Sequence, residues 1–75
     1  MDRVRTTIRT ALDELDLDPA ELSLRIGEAP DYIAALLRGE RPPVLPPAVR
    51  QGLALQLGVP ETALLPDLLP AGRER

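Results

Sequence analysis

Few side chains in this chain have the types and spacing that catalysis uses. Carboxylates occur in pairs, Asp13 with Glu14 and Asp16 with Asp18, as general acid–base chemistry would require. No histidine or cysteine accompanies them, which excludes a thiol nucleophile and an ordinary zinc site. A chain of 75 residues is also short for a deep pocket. We therefore expect no enzyme, no metal and no cofactor.

The basic residues suggest a different chemistry. All nine are arginines, which is explained equally well by a bias in base composition and by contacts with phosphate. The twelve acidic residues give a net charge of −3, which does not suit a protein that binds phosphates. Tyr32 is the only aromatic residue, so a platform for stacking bases is excluded.

The stretch from Asp18 to Gly39 predicts two short helices joined by a tight turn at Gly27. Asp18 is suited to cap the first helix, with Pro19 at its first position. The second helix is predicted to begin at Pro30, and its apolar residues follow the spacing i, i+3, i+4 (Ile33, Leu36, Leu37). This pattern is typical of a helix-turn-helix unit and equally of any small helical hairpin.

Three further helices complete the predicted organisation. One spans about Arg3 to Leu15, one runs from Pro46 or Pro47 to Leu57, and a short fifth spans Glu61 to Leu65. We expect one domain over residues 1–65 and a flexible tail over 66–75. The paired prolines after Gly39 predict an extended linker with Val44 and Leu45 turned inward. The predicted core comprises Ile8, Leu12, Leu15, Leu22, Ile26, Ile33, Leu36, Leu37, Val49, Leu53 and Leu57.

The pattern as a whole resembles the Cro/repressor (XRE-type) helix-turn-helix domains over about residues 8–65. The residues that carry the resemblance are Leu22, Gly27, Ile33, Arg38-Gly39 and Leu57-Gly58-Val59. The sequence is also similar to the N-terminal domains of prophage-repressor-like proteins. The resemblance implies an all-α, compact five-helix bundle of the lambda-repressor type. It also implies a transcriptional regulator, bacterial or phage-encoded, whose third helix (about 30–38) lies in the major groove of double-stranded DNA.

The same resemblance implies which residues meet DNA. Base-reading positions of the family fall on Ala29, Pro30, Asp31, Tyr32, Ala34 and Ala35. Arg38 and Arg41 fall near a backbone contact of the family, and we expect Arg25 or Arg50 to add a further contact with the DNA backbone. Arg3, Arg5 and Arg9 would form an additional arm. Two features depart from the family, because few of these side chains pair with base edges and residues 13–31 hold seven acids against Arg25.

These departures favour an alternative, a degenerate helix-turn-helix fold that acts as a protein–protein interaction module in transcription regulation. Leu24 and Leu55 have no place in the core pattern and would suit such a surface. A homodimer or another protein partner is expected through Leu64, Leu65, Leu68 and Leu69. No apolar run approaches the roughly 18 residues of a membrane span, and the N-terminus lacks the apolar core of a signal peptide. We therefore expect a cytoplasmic protein without a membrane partner.

Overall fold

Helical structure begins at Asp2, whose carboxylate accepts hydrogen bonds from the backbone N–H groups of Val4 (3.0 Å) and Arg5 (3.3 Å). The computed structural model describes residues 2–65, and no strand occurs within that range. The elements in chain order are α1 (Arg3–Leu15), α2 (Pro19–Arg25), α3 (Tyr32–Leu37), α4 (Pro47–Leu57) and a 3₁₀ helix (Glu61–Leu64). The expectation of an all-helical, compact fold is confirmed. The bounds of α1 and the end of α4 also match the prediction.

The four α-helices end in the same way. A residue with a positive φ follows each helix, and the next N–H donates to a carbonyl five residues back, as in a Schellman motif. The residues with positive φ are Asp16 (52°), Gly27 (80°), Gly39 (86°) and Gly58 (70°). Glycine adopts this conformation without steric cost, and aspartate is among the few other residues that tolerate it. The turn predicted at Gly27 is therefore confirmed.

The end of α1 corrects the predicted position of Leu15, which is 51% exposed and lies outside the core. Because Asp16 reverses the chain, the N–H of Leu17 donates to the carbonyl of Leu12 (3.0 Å), and Leu17 packs against the core instead. The linker gives a mixed outcome. Leu45 is buried as predicted, whereas Val44 is exposed.

The core otherwise follows the predicted apolar pattern. Ile26 and Leu37 are only partly buried against it. The predicted residues that are buried are Ile8, Leu12, Leu22, Ile33, Leu36, Val49, Leu53 and Leu57. Other buried residues stand outside that predicted core, namely Val4, Ala11, Ser23, Tyr32, Ala35, Ala54 and Leu64.

Two predicted helix boundaries are wrong. α3 begins at Tyr32 and not at Pro30, because the N–H of Tyr32 donates to the carbonyl of Ala29 (3.0 Å) and closes a turn before the helix. The fifth helix is a single 3₁₀ turn that ends at Leu64. The predicted tail, residues 66–75, lies outside the described residues.

The helices pack in two groups around this core. α2 packs against α3, while α1 and α4 both contact the 3₁₀ helix, whose Leu64 is fully buried. α4 also approaches the end of α2 closely. A Cβ atom added at Gly52 would lie 3.4 Å from Cγ2 of Ile26, so the glycine lets the two helices approach each other here.

Candidate functional site

A buried serine connects α2 to the start of α3. The hydroxyl of Ser23 donates to the carbonyl of Pro19 (2.8 Å) and accepts from the backbone N–H of Ile33 (3.0 Å). Asp31 stands at the N-cap position of α3 but makes no side-chain cap hydrogen bond. Since the first N–H groups of a helix have no partner within it, Ser23 supplies from α2 the acceptor that α3 lacks. Sequence reasoning missed this residue, although a serine within an amphipathic helix is a recognisable signal.

The residues predicted to read bases do not all lie at the surface. Pro30 and Asp31 are exposed in the turn before α3, and Ala34 is partly exposed. Tyr32 and Ala35 are each only 8% exposed and belong to the interior. Because both side chains are buried, they are not available to contact bases, which corrects their predicted role. The reason is the length of α3, since six residues packed against α2 and α1 leave one narrow edge free.

The three predicted phosphate-binding arginines are all exposed, and each has a partner. Arg25 pairs with Glu21 one turn earlier on α2 (3.0 Å). Arg38 donates two hydrogen bonds to the carboxylate of Glu40 (2.9 and 3.0 Å). The guanidinium of Arg41 lies over the ring of Tyr32, 4.4 Å from its centroid, in a cation–π contact.

The Arg38–Glu40 pair shifts both ionisation equilibria towards the charged forms. The hydrogen bond from Arg38, and then its positive charge, lower the pKa of Glu40 from its ordinary value. The hydrogen bond to Glu40 and the charge of that carboxylate raise the pKa of Arg38, to which the nearby charge of Asp31 adds. Two carboxylates, those of Glu40 and Asp31, therefore stabilise the positive charge of Arg38.

Two arginines of α1 hold the other end of α3. The Nε–H of Arg5 donates to the carbonyl of Leu36 (2.5 Å), and its Nη2 donates to the carbonyl of Arg41. Arg9 donates to the carbonyl of Leu37 (3.0 Å). The last carbonyls of a helix lack partners and carry partial negative charge, so these guanidinium groups satisfy and stabilise that end. Arg5 and Arg9 are thus engaged within the fold, and the sequence offers no local signal for contacts between residues about thirty positions apart.

The paired carboxylates lie around the end of α1. Asp13, Glu14, Asp16 and Asp18 are all exposed, and Asp18 caps α2 by accepting from the N–H of Ala20 (3.0 Å). Asp13 and Asp16 border a cleft of about 250 Å³. This volume is below the roughly 300–1,000 Å³ of pockets that enclose small molecules.

The described part of the chain, residues 2–65, contains no helix whose length and apolar character would carry it across a bilayer. The chain matches no family model, no curated protein and no solved structure.

Proposed function

We propose that this chain is a DNA-binding transcriptional regulator in which α2, the turn at Gly27 and α3 act as a helix-turn-helix unit. The observation that carries the proposal is the buried hydrogen bond from the N–H of Ile33 to the hydroxyl of Ser23, which fixes α3 against α2. Groove recognition needs such a fixed pair, because one helix lies in the major groove while the other crosses the DNA backbone. The resemblance to Cro/repressor domains supports the same function.

In the proposed complex, the exposed edge formed by Pro30, Asp31 and Ala34 faces the bases. The carboxylate of Asp31 accepts from a cytosine amino group, and the methyl group of Ala34 contacts that of thymine. Arg38 and Arg41 follow the helix and contact phosphates, with Arg25 as a third contact from α2. Because few side chains reach the bases, we expect modest sequence preference.

The salt dependence of binding follows from the number of phosphate contacts. Three arginines on three phosphates give a slope of log K against log salt of about −2.7, because each contact contributes about −0.9. The affinity should then fall about 40-fold between about 50 and 200 mM salt. Such a dependence on salt is the expected signature of this surface.

A mobility-shift series on genomic DNA fragments tests the proposal. Asp31→Asn should strengthen non-specific binding, because it removes one charge that repels phosphate, and should relax the preference at one base position. Arg41→Ala should weaken binding to all sequences and reduce the salt slope by about one unit. Glu14→Gln on α1 is the matched control for Asp31→Asn, because it changes the net charge equally at an exposed site. Uniformly negligible binding of the wild type and every variant would overturn the proposal.

A second function, contact with a protein partner, is favoured by two specific observations. Tyr32 and Ala35 are buried, which removes two of the predicted base-reading side chains. Arg25 and Arg38 are already paired with carboxylates, which weakens the attraction to phosphate. In this case the outer edge of α2 and α3 would bind a regulator or a subunit of the transcription machinery. Capture of such a partner that fails with Asp31→Asn, together with absent DNA binding, would establish this function instead.

A further inference from the structure

Arg41 differs from the other arginines proposed to contact phosphate, because no carboxylate neutralises its charge. Arg25 and Arg38 are each paired with a glutamate. The guanidinium of Arg41 instead lies over the ring of Tyr32, 4.4 Å from its centroid. Within residues 2–65 this guanidinium forms no ion pair and no hydrogen bond. Its positive charge and its N–H donors are therefore available to a ligand.

The ring of Tyr32 is a fixed support for this guanidinium. Tyr32 is 8% exposed, belongs to the core and opens α3. The next residue, Ile33, is held to α2 through the hydroxyl of Ser23. An aromatic ring attracts a cation through its quadrupole and carries no net charge. Tyr32 therefore orients the side chain of Arg41 without neutralising it, whereas a carboxylate would do both.

The backbone around Arg41 is restrained as well. Its carbonyl accepts a hydrogen bond from Nη2 of Arg5, a side chain of α1. On its N-terminal side, the N–H of Glu40 donates to the carbonyl of Ala35 (2.9 Å). On its C-terminal side, Pro42 restricts the backbone of the residue before it to extended conformations. Both the main chain and the side chain of Arg41 are consequently positioned before any ligand binds.

We infer that Tyr32 is a positioning residue, which holds Arg41 as the principal phosphate contact of the DNA surface; this inference rests on the proposed function. Binding costs conformational entropy when it immobilises a long side chain, and Arg41 has already lost much of that freedom. At Arg25 and Arg38 the paired carboxylates repel an incoming phosphate. The ligand of Arg41 is a backbone phosphodiester, to which a guanidinium presents a planar set of donors.

The inference gives Tyr32 a role that needs no contact with DNA. The tyrosine is buried and does not reach a base, but it determines where the charge of Arg41 lies. Because a phosphate contact carries no sequence information, loss of this contact should weaken binding to all sequences alike.

Fluorescence anisotropy with the full chain and two labelled DNA duplexes of unrelated sequence tests the ranking of the arginines. At about 100 mM salt, Arg41→Ala should weaken binding to both duplexes about tenfold. Arg25→Ala is the matched comparison, because it removes the same charge from another exposed arginine. Its loss should be about threefold or less, since Arg25 is already paired. Equal losses in the two variants would overturn the inference.

Two substitutions of Tyr32 test whether the ring acts through Arg41. Tyr32→Phe keeps the ring and should retain the affinity of the wild type. Tyr32→Leu removes the ring and should weaken binding about two- to fivefold. When Arg41 is already alanine, Tyr32→Leu should cause no further loss, because the positioned charge is gone. Equal losses from Tyr32→Leu with and without Arg41 would show that the ring only supports the fold, and would overturn the inference.

A measurement on the free protein complements these titrations, because Tyr32→Leu also removes buried atoms and lowers stability. Affinities are compared at a temperature where circular dichroism shows every variant folded. In NMR spectra of the wild type, the Cδ protons of Arg41 should lie upfield of those of Arg25, since the ring current of Tyr32 shields them. Equal shifts would overturn the inference alone. A wild type that binds neither duplex would overturn the proposed function, and this inference with it.

Discussion

The guanidinium of Arg38 is hydrogen-bonded to the carboxylate of Glu40, so a phosphate that bound Arg38 would have to displace this carboxylate. The two hydrogen bonds between their side chains join parallel donors to a carboxylate, as an arginine–phosphate contact would. Because the pKa of Glu40 is lowered, its carboxylate stays ionised in the folded chain at pH values below the ordinary pKa of a glutamate. The pair is therefore intact at neutral pH and is lost as the pH falls through that lowered value. Its effect on stability is small because both side chains are in water.

Replacing Glu40 with Gln should strengthen DNA binding. The change removes a repulsive charge and frees the guanidinium of Arg38 for phosphate, so we expect about three- to tenfold higher affinity at about 100 mM salt. A mobility-shift titration measures this change, with Glu14→Gln as the control of equal charge. An equal gain in both variants would mean that net charge alone, and not the release of Arg38, controls binding.

At the scale of the element, α3 depends on its neighbours at both ends. A helix of six residues is not stable in isolation, because the conformational entropy lost in forming its first turn exceeds the free energy gained from so few hydrogen bonds. Ser23 of α2 completes its first turn, and Arg5 and Arg9 of α1 satisfy its last carbonyls. The position of α3 is consequently set by side chains that belong to two other helices.

Loss of the Ser23 hydroxyl should loosen the start of α3. In Ser23→Ala the buried N–H of Ile33 loses its acceptor, which should lower the free energy of unfolding by about 1–3 kcal/mol. Chemical denaturation measures the loss, and amide exchange at Ile33 shows where it occurs. Thr10→Ala, which removes an exposed hydroxyl from α1, should change little. Unchanged exchange at Ile33 in Ser23→Ala would show that the serine does not hold the helix.

At the scale of the whole molecule, one small core holds all the described elements together. Leu64 of the 3₁₀ helix, Leu45 of the linker and Val4 of α1 close this core, and all three are buried. Leu64 therefore cannot form the partner surface expected from the sequence, while Leu65 is 37% exposed and Leu68 and Leu69 lie outside the described residues. The exposed apolar surface lies elsewhere, at Leu55 in particular.

A single truncation in this core should unfold the domain or nearly so. Leu36 is 1% exposed, and Leu36→Ala should cost about 2–5 kcal/mol. A core of this size supplies a net stability of only about 3–5 kcal/mol. Thermal unfolding followed by circular dichroism measures the effect, and Leu24→Ala at an exposed leucine is the control. A midpoint that hardly moves in Leu36→Ala would contradict a cooperative core centred on this residue.

The amino-acid sequence determined the features that depend on local chemistry. Asp18 and Pro19 start α2, and Gly27 ends it, because capping and positive φ depend on residue type. Apolar residues at helical spacing identified about half of the buried residues, because a helix places residues three and four apart on one face. The burial predicted for Leu15 is wrong, because Asp16 takes the left-handed conformation that is far commoner in glycine, and Leu17 packs against the core instead.

Only the tertiary structure decided how these helices use their polar groups. The bond from Ile33 to Ser23 spans ten residues and that from Arg5 to Leu36 spans 31, so no local pattern predicts either. Burial of Tyr32 depends likewise on how α2 and α1 pack around α3. Helical periodicity indicates which side of a helix is apolar. Which neighbour covers that side, and how much of the opposite side stays in water, depends on the packing of the whole chain.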